Sequence, residues 1–182
     1  FDLDDEPRKL ARAIAKDAKT DVEKVKAIYG WVVQNTRYVA LELGIYGYKP
    51  RRCVQIVARG WGDCKDKATV IVTLLKELGI DSTIVILRTQ MRGAFRSKVP
   101  SLAPFDHAIV YVPSLKLYLD GTAEWTGSSE LPKMDLEALG LLVNKGDSKL
   151  VTLPGGDPST NPLERTVRAT LAADGSAKLE LD

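Results

Sequence analysis

Apolar residues recur at helical spacing along the N-terminal half of the chain. Leu10, Ile14 and Ala18 are spaced four residues apart and predict a helix over Glu6–Lys19. A second helix is predicted from Thr20, which forms a T-x-x-E capping box with Glu23, to about Asn35. The apolar face of this second helix consists of Val22, Val25, Ile28, Tyr29, Val32 and Val33.

Two further helices are predicted after an irregular, glycine-containing stretch from Tyr38 to Pro50. A short one covers about residues 53–58. A longer one starts at Asp63, a good N-cap residue, and stops at Gly79. Its apolar face consists of Ala68, Ile71, Val72, Leu75 and Leu78.

The pattern changes after residue 80 to short segments rich in β-branched and apolar residues, which predict strands. Helices therefore come first and strands second, which favours an α+β fold whose N-terminal helices pack on an antiparallel β-sheet. The predicted strands are 82–88, 106–112, 115–120, 140–144, 150–153, 165–171 and 176–181.

The segment after residue 156 differs in composition from the rest of the 182-residue chain. Prolines, serines and threonines cluster there, and Asp174-Gly175 then marks a hairpin. We expect a core domain over 1–156, followed over 157–182 by a linker and the first hairpin of a truncated C-terminal β domain. Because the chain starts at Phe1, we expect a fragment of a longer protein.

Charge and composition exclude some partners. A net charge of +2 is too small for a nucleic-acid-binding domain. The apolar runs are far shorter than the roughly 20 residues of a membrane span, so we expect no membrane segment in this chain. Two cysteines with ten residues between them, Cys53 and Cys64, and a single histidine do not match a zinc site, and no metal or cofactor is expected.

Cys64 is a candidate nucleophile because it stands in the first turn of a strongly predicted helix. Free amides and the positive end of the helix dipole favour a thiolate there, and Lys65 and Lys67 add positive charge. The residue is also compatible with a small buried side chain at a helix start.

His107 and Asp120 are predicted to meet across a hairpin. With Pro113-Ser114 as a two-residue loop, residue 107 lies opposite residue 120 on the same face of the sheet. A four-residue loop shifts the pairing by two and leaves them diagonal neighbours on that face. A carboxylate in this position orients an imidazole, although a purely structural His–Asp pair is the alternative.

Three ordered blocks resemble the bacterial transglutaminase-like proteins, over about residues 7–145. They are Tyr38–Gly44 with Gly47–Pro50, then Gly62-Asp63-Cys64-Lys65-Asp66-Lys67-Ala68, and finally Phe105–Val110 with Tyr118–Ala123. The resemblance implies a papain-like fold and acyl-transfer chemistry with Cys64, His107 and Asp120 as catalytic residues. Relatives include transglutaminases, peptidases, amidases and members that have lost catalysis. In the most similar branch the core is flanked by β domains and often exported, which implies a periplasmic or extracellular location.

An oxyanion hole is needed for such chemistry, and the backbone amide of Cys64 is its first expected donor. The second donor is less clear, because Ala58 stands where papain-like peptidases place a glutamine. Tyr48 is the candidate, with packing in an irregular loop as the alternative.

The expected substrate is an amide bond of a peptide or protein, with a cell-wall peptide as one candidate and with hydrolysis favoured slightly over amine transfer. The loop from Arg88 to Phe105 is expected to border the cleft and to favour acidic substrates through Arg92, Arg96 and Lys98. Two alternatives remain. One is a catalytically silent binding module of a larger exported protein, and the other is a redox element that uses Cys53 and Cys64.

Overall fold

Four helices form the N-terminal half of the chain. The computed structural model describes residues 5–95, 99–157, 159 and 162–181. The helices are α1 (Asp5–Ile14), α2 (Asp21–Asn35), α3 (Cys53–Arg59) and α4 (Cys64–Glu77). Short 3₁₀ turns cover Gly44–Gly47, Gln90–Arg92 and Pro113–Leu115.

An antiparallel sheet forms the second half. Its five strands lie in the spatial order β5-β4-β3-β6-β7, and a separate hairpin pairs β8 with β9. The predicted α+β architecture is confirmed. The strands are β1 (Arg37–Tyr38), β2 (Trp61–Gly62), β3 (Thr83–Arg88), β4 (His107–Val112), β5 (Leu117–Leu119), β6 (Leu139–Leu142), β7 (Lys149–Thr152), β8 (Val167–Leu171) and β9 (Ala177–Leu181).

The start of α2 is as predicted, whereas α1 is shorter than predicted. Thr20 accepts a hydrogen bond from the Glu23 amide, and the Glu23 carboxylate accepts from the amides of Lys19 and Thr20. Since these two amides already serve the cap of α2, they cannot belong to α1. The first helix ends at Ile14, before these residues, and not at Lys19.

A two-residue parallel ladder was not predicted. Arg37 of β1 pairs with Trp61 of β2, and Tyr38 pairs with Gly62. This ladder brings the chain that follows α2 alongside the residues that precede Cys64.

Helix α4 is the centre of the fold. Every residue of α4 from Cys64 to Leu75 is buried, because α1, α2, α3 and the sheet all pack against it. The sheet contributes Val110, Val112 and Leu119 to this main core, while Val85, Leu87 and Ile109 belong to a second apolar cluster.

The hairpin of β8 and β9 is exposed along both strands. Its strands pair only with each other among the described strands. The hairpin itself was predicted; its assignment to a second domain stays a prediction.

Among the described residues, none of the helices combines the length and the apolar character that crossing a bilayer demands.

Candidate active site

Cys64 is the first residue of α4, directly after the N-cap residue Asp63. The Asp63 carboxylate accepts a hydrogen bond from the Asp66 amide at 3.1 Å, which fixes the start of the helix. The thiol of Cys64 is free and 8% exposed. The cysteine thus lies where sequence analysis placed it, at the positive end of the central helix.

Gly62 is required by close packing before the cysteine. A Cβ atom at this position would lie 2.7 Å from the Cβ atom of Asp66. Any larger residue would therefore push the chain before Cys64 away from the first turn of α4.

Asp66 joins α4 to the segment around α3. Its side chain is fully buried and accepts hydrogen bonds from the backbone amide of Arg51 at 2.8 Å and from the guanidinium of Arg59. The Arg51 guanidinium lies over the Tyr46 ring, and the Arg59 guanidinium lies over the Trp61 ring. Asp66 therefore anchors two arginines, each of which stacks on an aromatic ring.

The two lysines near Cys64 have structural partners. Lys65 forms an ion pair with Asp63 at 2.6 Å. Lys67 is fully buried and donates a hydrogen bond to the carbonyl of Thr36 at 2.5 Å, and burial lowers the pKa of Lys67 despite the nearby carboxylates of Glu124 and Asp120. Both lysines were expected to stabilise the Cys64 thiolate by their charge. Lys65 instead pairs with a carboxylate, and Lys67 binds a backbone carbonyl.

His107 and Asp120 meet as diagonal neighbours. Val112 pairs with Leu117 and Val110 with Leu119, so the hairpin loop has four residues and the two-residue loop was wrong. A 3₁₀ turn occupies the extra residues, with Lys116 in the left-handed conformation. Because a shift of two keeps side chains on one face, the Nε2 atom of His107 still lies 3.1 Å from the Oδ2 atom of Asp120.

The remaining oxygen of Asp120 is held by Thr122. The Oδ1 atom accepts hydrogen bonds from the backbone amide and from the hydroxyl of Thr122, both at 2.8 Å. Asp120 is almost fully buried, and its carboxylate cannot rotate away from His107 without breaking both bonds.

The electrostatics favour a charged imidazole. Burial lowers the pKa of His107, but hydrogen bonds to Asp120 and Cys64 and the charges of these two groups outweigh it and raise that pKa to about 10. Burial tends to raise the pKa of Asp120, yet His107 and Thr122 bring it below its ordinary value. With Nε2 occupied by Asp120, the Nδ1 side of the ring remains for the thiol of Cys64.

Asp135 is a residue of this site that sequence analysis missed. Its carboxyl group, the Asp120 carboxylate and the His107 imidazole have polar atoms within 4.8 Å of one another. Asp135 is fully buried, although it lies in a loop before β6. The sequence offers only a weak indication of its burial, namely that Asp135 is flanked by the apolar residues Met134 and Leu136.

Polar atoms of His107, Asp120 and Asp135 are of types that also bind metals. Metal binding would require a neutral His107 imidazole, since a protonated ring has no lone pair for a cation. Of the three residues, His107 and Asp120 are joined by a hydrogen bond, while the oxygens of Asp135 have no donor among the described residues.

Tyr38, which is 43% exposed, is a better candidate than Tyr48 for a tyrosine near Cys64. Tyr48 is 83% exposed, which does not fit a donor aimed into a buried site. Burial raises the pKa of Tyr38 to about 12, with further contributions from the charges of Cys64, Glu42, Asp63 and Asp120. The β1–β2 ladder causes this placement, because it aligns Tyr38 with Gly62, two residues before the cysteine.

The basic loop is partly neutralised. The Arg92 guanidinium contacts the carboxylate of Asp106 at 3.3 Å, so its charge already has a partner. Arg96 and Lys98 lie outside the described residues. The expected preference for acidic substrates therefore gains no support from Arg92.

The surface also carries a wide groove of about 1390 Å³, whose lining does not include Cys64, His107 or Asp120. Met91, Tyr118 and Leu131 are among its lining residues. Met134 and Leu136, the neighbours of Asp135, also line the groove, so it borders the loop that carries Asp135.

Comparison with known proteins identifies the family of this chain. A model of the transglutaminase-like superfamily matches residues 8–112, more than half of the chain. The chain belongs to the transglutaminase-like superfamily. None of the curated proteins matches it.

Two solved structures resemble this member of the superfamily. One is described as a "putative protease" from Parabacteroides distasonis, with a TM-score of 0.63 and 15% identity over 83% of this chain and 28% of that one. The other is described as a "putative cysteine protease" from Cytophaga hutchinsonii, with a TM-score of 0.48 and 16% identity over 98% of this chain and 50% of that one. The chain thus spans half or less of each structure, and the first confirms the predicted fold.

Proposed function

We propose that this transglutaminase-like chain is a thiol enzyme that cleaves amide bonds of peptides or proteins, with Cys64 as nucleophile, His107 as acid and base, and Asp120 as orienting residue. The observation that carries the proposal is the His107 imidazole, which lies 3.1 Å from the Asp120 carboxylate and whose pKa is raised by both Asp120 and Cys64. A structural His–Asp pair would not need a cysteine at a helix N-terminus on the other side of the ring.

The reaction follows from this arrangement. The Cys64 thiolate attacks the amide carbonyl carbon, and the carbonyl electron pair moves to oxygen. As the C–N bond breaks, His107 gives its proton to the leaving nitrogen, and an acyl-enzyme remains. The neutral imidazole then takes a proton from water as the water adds to the acyl carbon, and cleavage of the C–S bond restores the thiolate and the imidazolium.

The acyl acceptor is proposed to be water. An amine in its place would make the enzyme a transglutaminase. The test is product analysis with a glutamine-containing peptide and an excess of labelled amine. Hydrolysed peptide should dominate, and incorporated amine in excess of hydrolysed product would reverse the assignment.

The thiolate–imidazolium pair is testable without a known substrate. Alkylation of Cys64 by iodoacetamide should stay fast at pH 6, where an ordinary thiol with a pKa of about 8.5 is almost fully protonated. Replacing His107 by alanine removes the stabilising cation, so the rate at pH 6 should fall about 10²-fold. Cys53 is changed to alanine throughout, so that Cys64 is the only thiol.

Asp120→Asn is the matched variant, because it keeps the shape of the side chain but not its charge. It should shift the fast alkylation to higher pH. Alkylation that follows ordinary thiol titration in the parent, indifferent to His107, would refute the thiolate–imidazolium pair.

Tyr38 is proposed as the second oxyanion donor beside the Cys64 amide, in place of Tyr48. The amide belongs to the first residue of α4, which has no intrahelical acceptor for it. The raised pKa of Tyr38 keeps its hydroxyl protonated, and therefore a donor, at neutral pH.

Tyr38→Phe should therefore lower kcat about 10²-fold with little change in KM, because the lost hydrogen bond acts on the transition state. Steady-state kinetics on one amide substrate measures both constants. Tyr48→Phe is the matched control and should leave kcat unchanged. The opposite ranking of the two variants would return the role to Tyr48.

A further inference from the structure

Asp135 is held in place by its own loop. Its amide donates a hydrogen bond to the carbonyl of Pro132 at 2.9 Å. On either side of Asp135, the carbonyls of Met134 and Leu136 accept hydrogen bonds from the backbone and the side chain of Gln90. The carboxyl group is therefore fixed by the docking of this loop on the end of β3.

The surroundings of the Asp135 carboxyl group are unusual for a charged group. It is fully buried, and among the described residues neither of its oxygens has a hydrogen-bond donor. Burying a carboxylate without a donor costs several kcal/mol, so the group must change its protonation state or find a partner.

The carboxylate of Asp120 and the imidazole of His107 both lie within 4.8 Å of the Asp135 carboxyl group. Two carboxylates are both acceptors, so the contact with Asp120 becomes a hydrogen bond only when a proton lies between them. The hydrogen bonds from His107 and Thr122 stabilise the ionised form of Asp120. Asp135 is therefore the residue that carries the proton.

The charges around Asp135 agree with this assignment. Burial raises the pKa of Asp135 to about 7, and the carboxylates of Asp120 and Asp106 add to the rise, while the cationic His107 opposes it. Asp106 is itself held by Thr89 and by Arg92, so its charge is partly compensated.

We propose that Asp135 is a positioning residue of the active site: in its protonated form it donates a hydrogen bond to the Asp120 carboxylate and so extends the chain Cys64–His107–Asp120 by a fourth, buried member. Asp135 contacts no reacting atom and acts through Asp120. The effect of this hydrogen bond on catalysis rests on the proposed function, whereas the hydrogen bond itself does not depend on that function.

The fourth member makes the triad sensitive to pH. While Asp135 keeps its proton, a single negative charge faces the His107 imidazolium. Once it loses the proton, a second negative charge lies near the ring and holds the imidazolium more tightly. His107 then becomes a weaker acid toward the leaving nitrogen, so acylation should slow as pH rises through the ionisation of Asp135.

The single histidine of the chain makes a direct test possible. The ¹H NMR signal of the imidazole C2 proton belongs to His107 alone and reports each charge change beside the ring. In the parent, this signal should shift in a step near pH 7, well below the titration of His107 itself near pH 10. Asp135→Asn keeps a donor toward Asp120 but cannot ionise, so this step should be lost.

Asp106→Asn is the control, because it removes a nearby carboxylate that is not part of the proposed chain. It should keep the step and move it to lower pH, since the charge of Asp106 raises the pKa of Asp135. A parent signal without a step near pH 7, or a step that persists in Asp135→Asn, overturns the proposal.

The NMR titration and the alkylation of Cys64 separate the two proposals. Loss of the step in Asp135→Asn, together with alkylation that follows ordinary thiol titration, would support the shared proton and refute the enzyme. Fast alkylation of Cys64 at pH 6 in the parent, together with a step that is unchanged in Asp135→Asn, would support the enzyme and refute the role of Asp135.

Discussion

Replacing Cys64 by alanine is expected to lower amide hydrolysis by about 10⁴- to 10⁶-fold, since removal of a nucleophile eliminates the covalent route. The loss should appear in kcat, because substrate contacts outside the thiol are unchanged. Residual activity, if measurable, reports what binding and the oxyanion donors contribute without a nucleophile. The measurement is release of a free amine from a peptide substrate identified by the product analysis described above.

The matched control is Cys53→Ala, which removes the other thiol of the chain. Cys53 is buried at the start of α3 and lies in the main apolar core. Hydrolysis by this variant should stay near the parent rate. Full activity in Cys64→Ala would refute the nucleophile, and equal loss in both variants would favour a redox pair of the two cysteines. A normal cellular role for the Cys64→Ala variant would instead favour the binding module.

Replacing Asp66 by alanine should lower the free energy of unfolding by about 3–5 kcal/mol, the range expected when one member of a buried ion pair is removed. The substitution leaves the Arg51 amide without its acceptor and the Arg59 and Arg51 guanidinium groups without their carboxylate partner. All of these groups are at least half-buried and cannot be fully rehydrated. Urea unfolding followed by circular dichroism measures the loss.

Asp147→Ala provides the comparison for Asp66, because Asp147 pairs with Lys149 on the surface at 3.2 Å. Such an exposed pair contributes less than about 1 kcal/mol. If the two variants destabilised the protein equally, Asp66 would not be the anchor described above.

The position of Cys64 was predictable because its determinants are local. Asp63 is an N-cap residue, and the apolar spacing of α4 follows directly after it, so the start of the helix needs no tertiary information. The meeting of His107 and Asp120 was predictable for a different reason. Either loop length keeps their side chains on one face, so the error in the hairpin loop did not alter the contact.

Asp135 and Tyr38 were not predictable, because tertiary contacts place them. Asp135 reaches Asp120 only because its loop docks on Gln90, and no periodic pattern marks such a loop. Tyr38 is aligned with Gly62, two residues before Cys64, by a parallel ladder of two residues per strand, which is too short to leave a pattern in the sequence. Both residues required the arrangement of segments that are distant along the chain.

Most residues of the segment Gly62–Lys67 have structural roles, and only one has a chemical role. This difference has a consequence for the evolution of such proteins. Gly62 gives room to Asp66, Asp63 caps α4, Lys65 pairs with Asp63, and Lys67 ties α4 to the end of α2. Cys64 differs, because its thiol faces the imidazole and not the scaffold. A single codon change at this position would silence the chemistry and leave the architecture intact. Inactive descendants that keep the cleft for binding are therefore one mutational step away from an active ancestor.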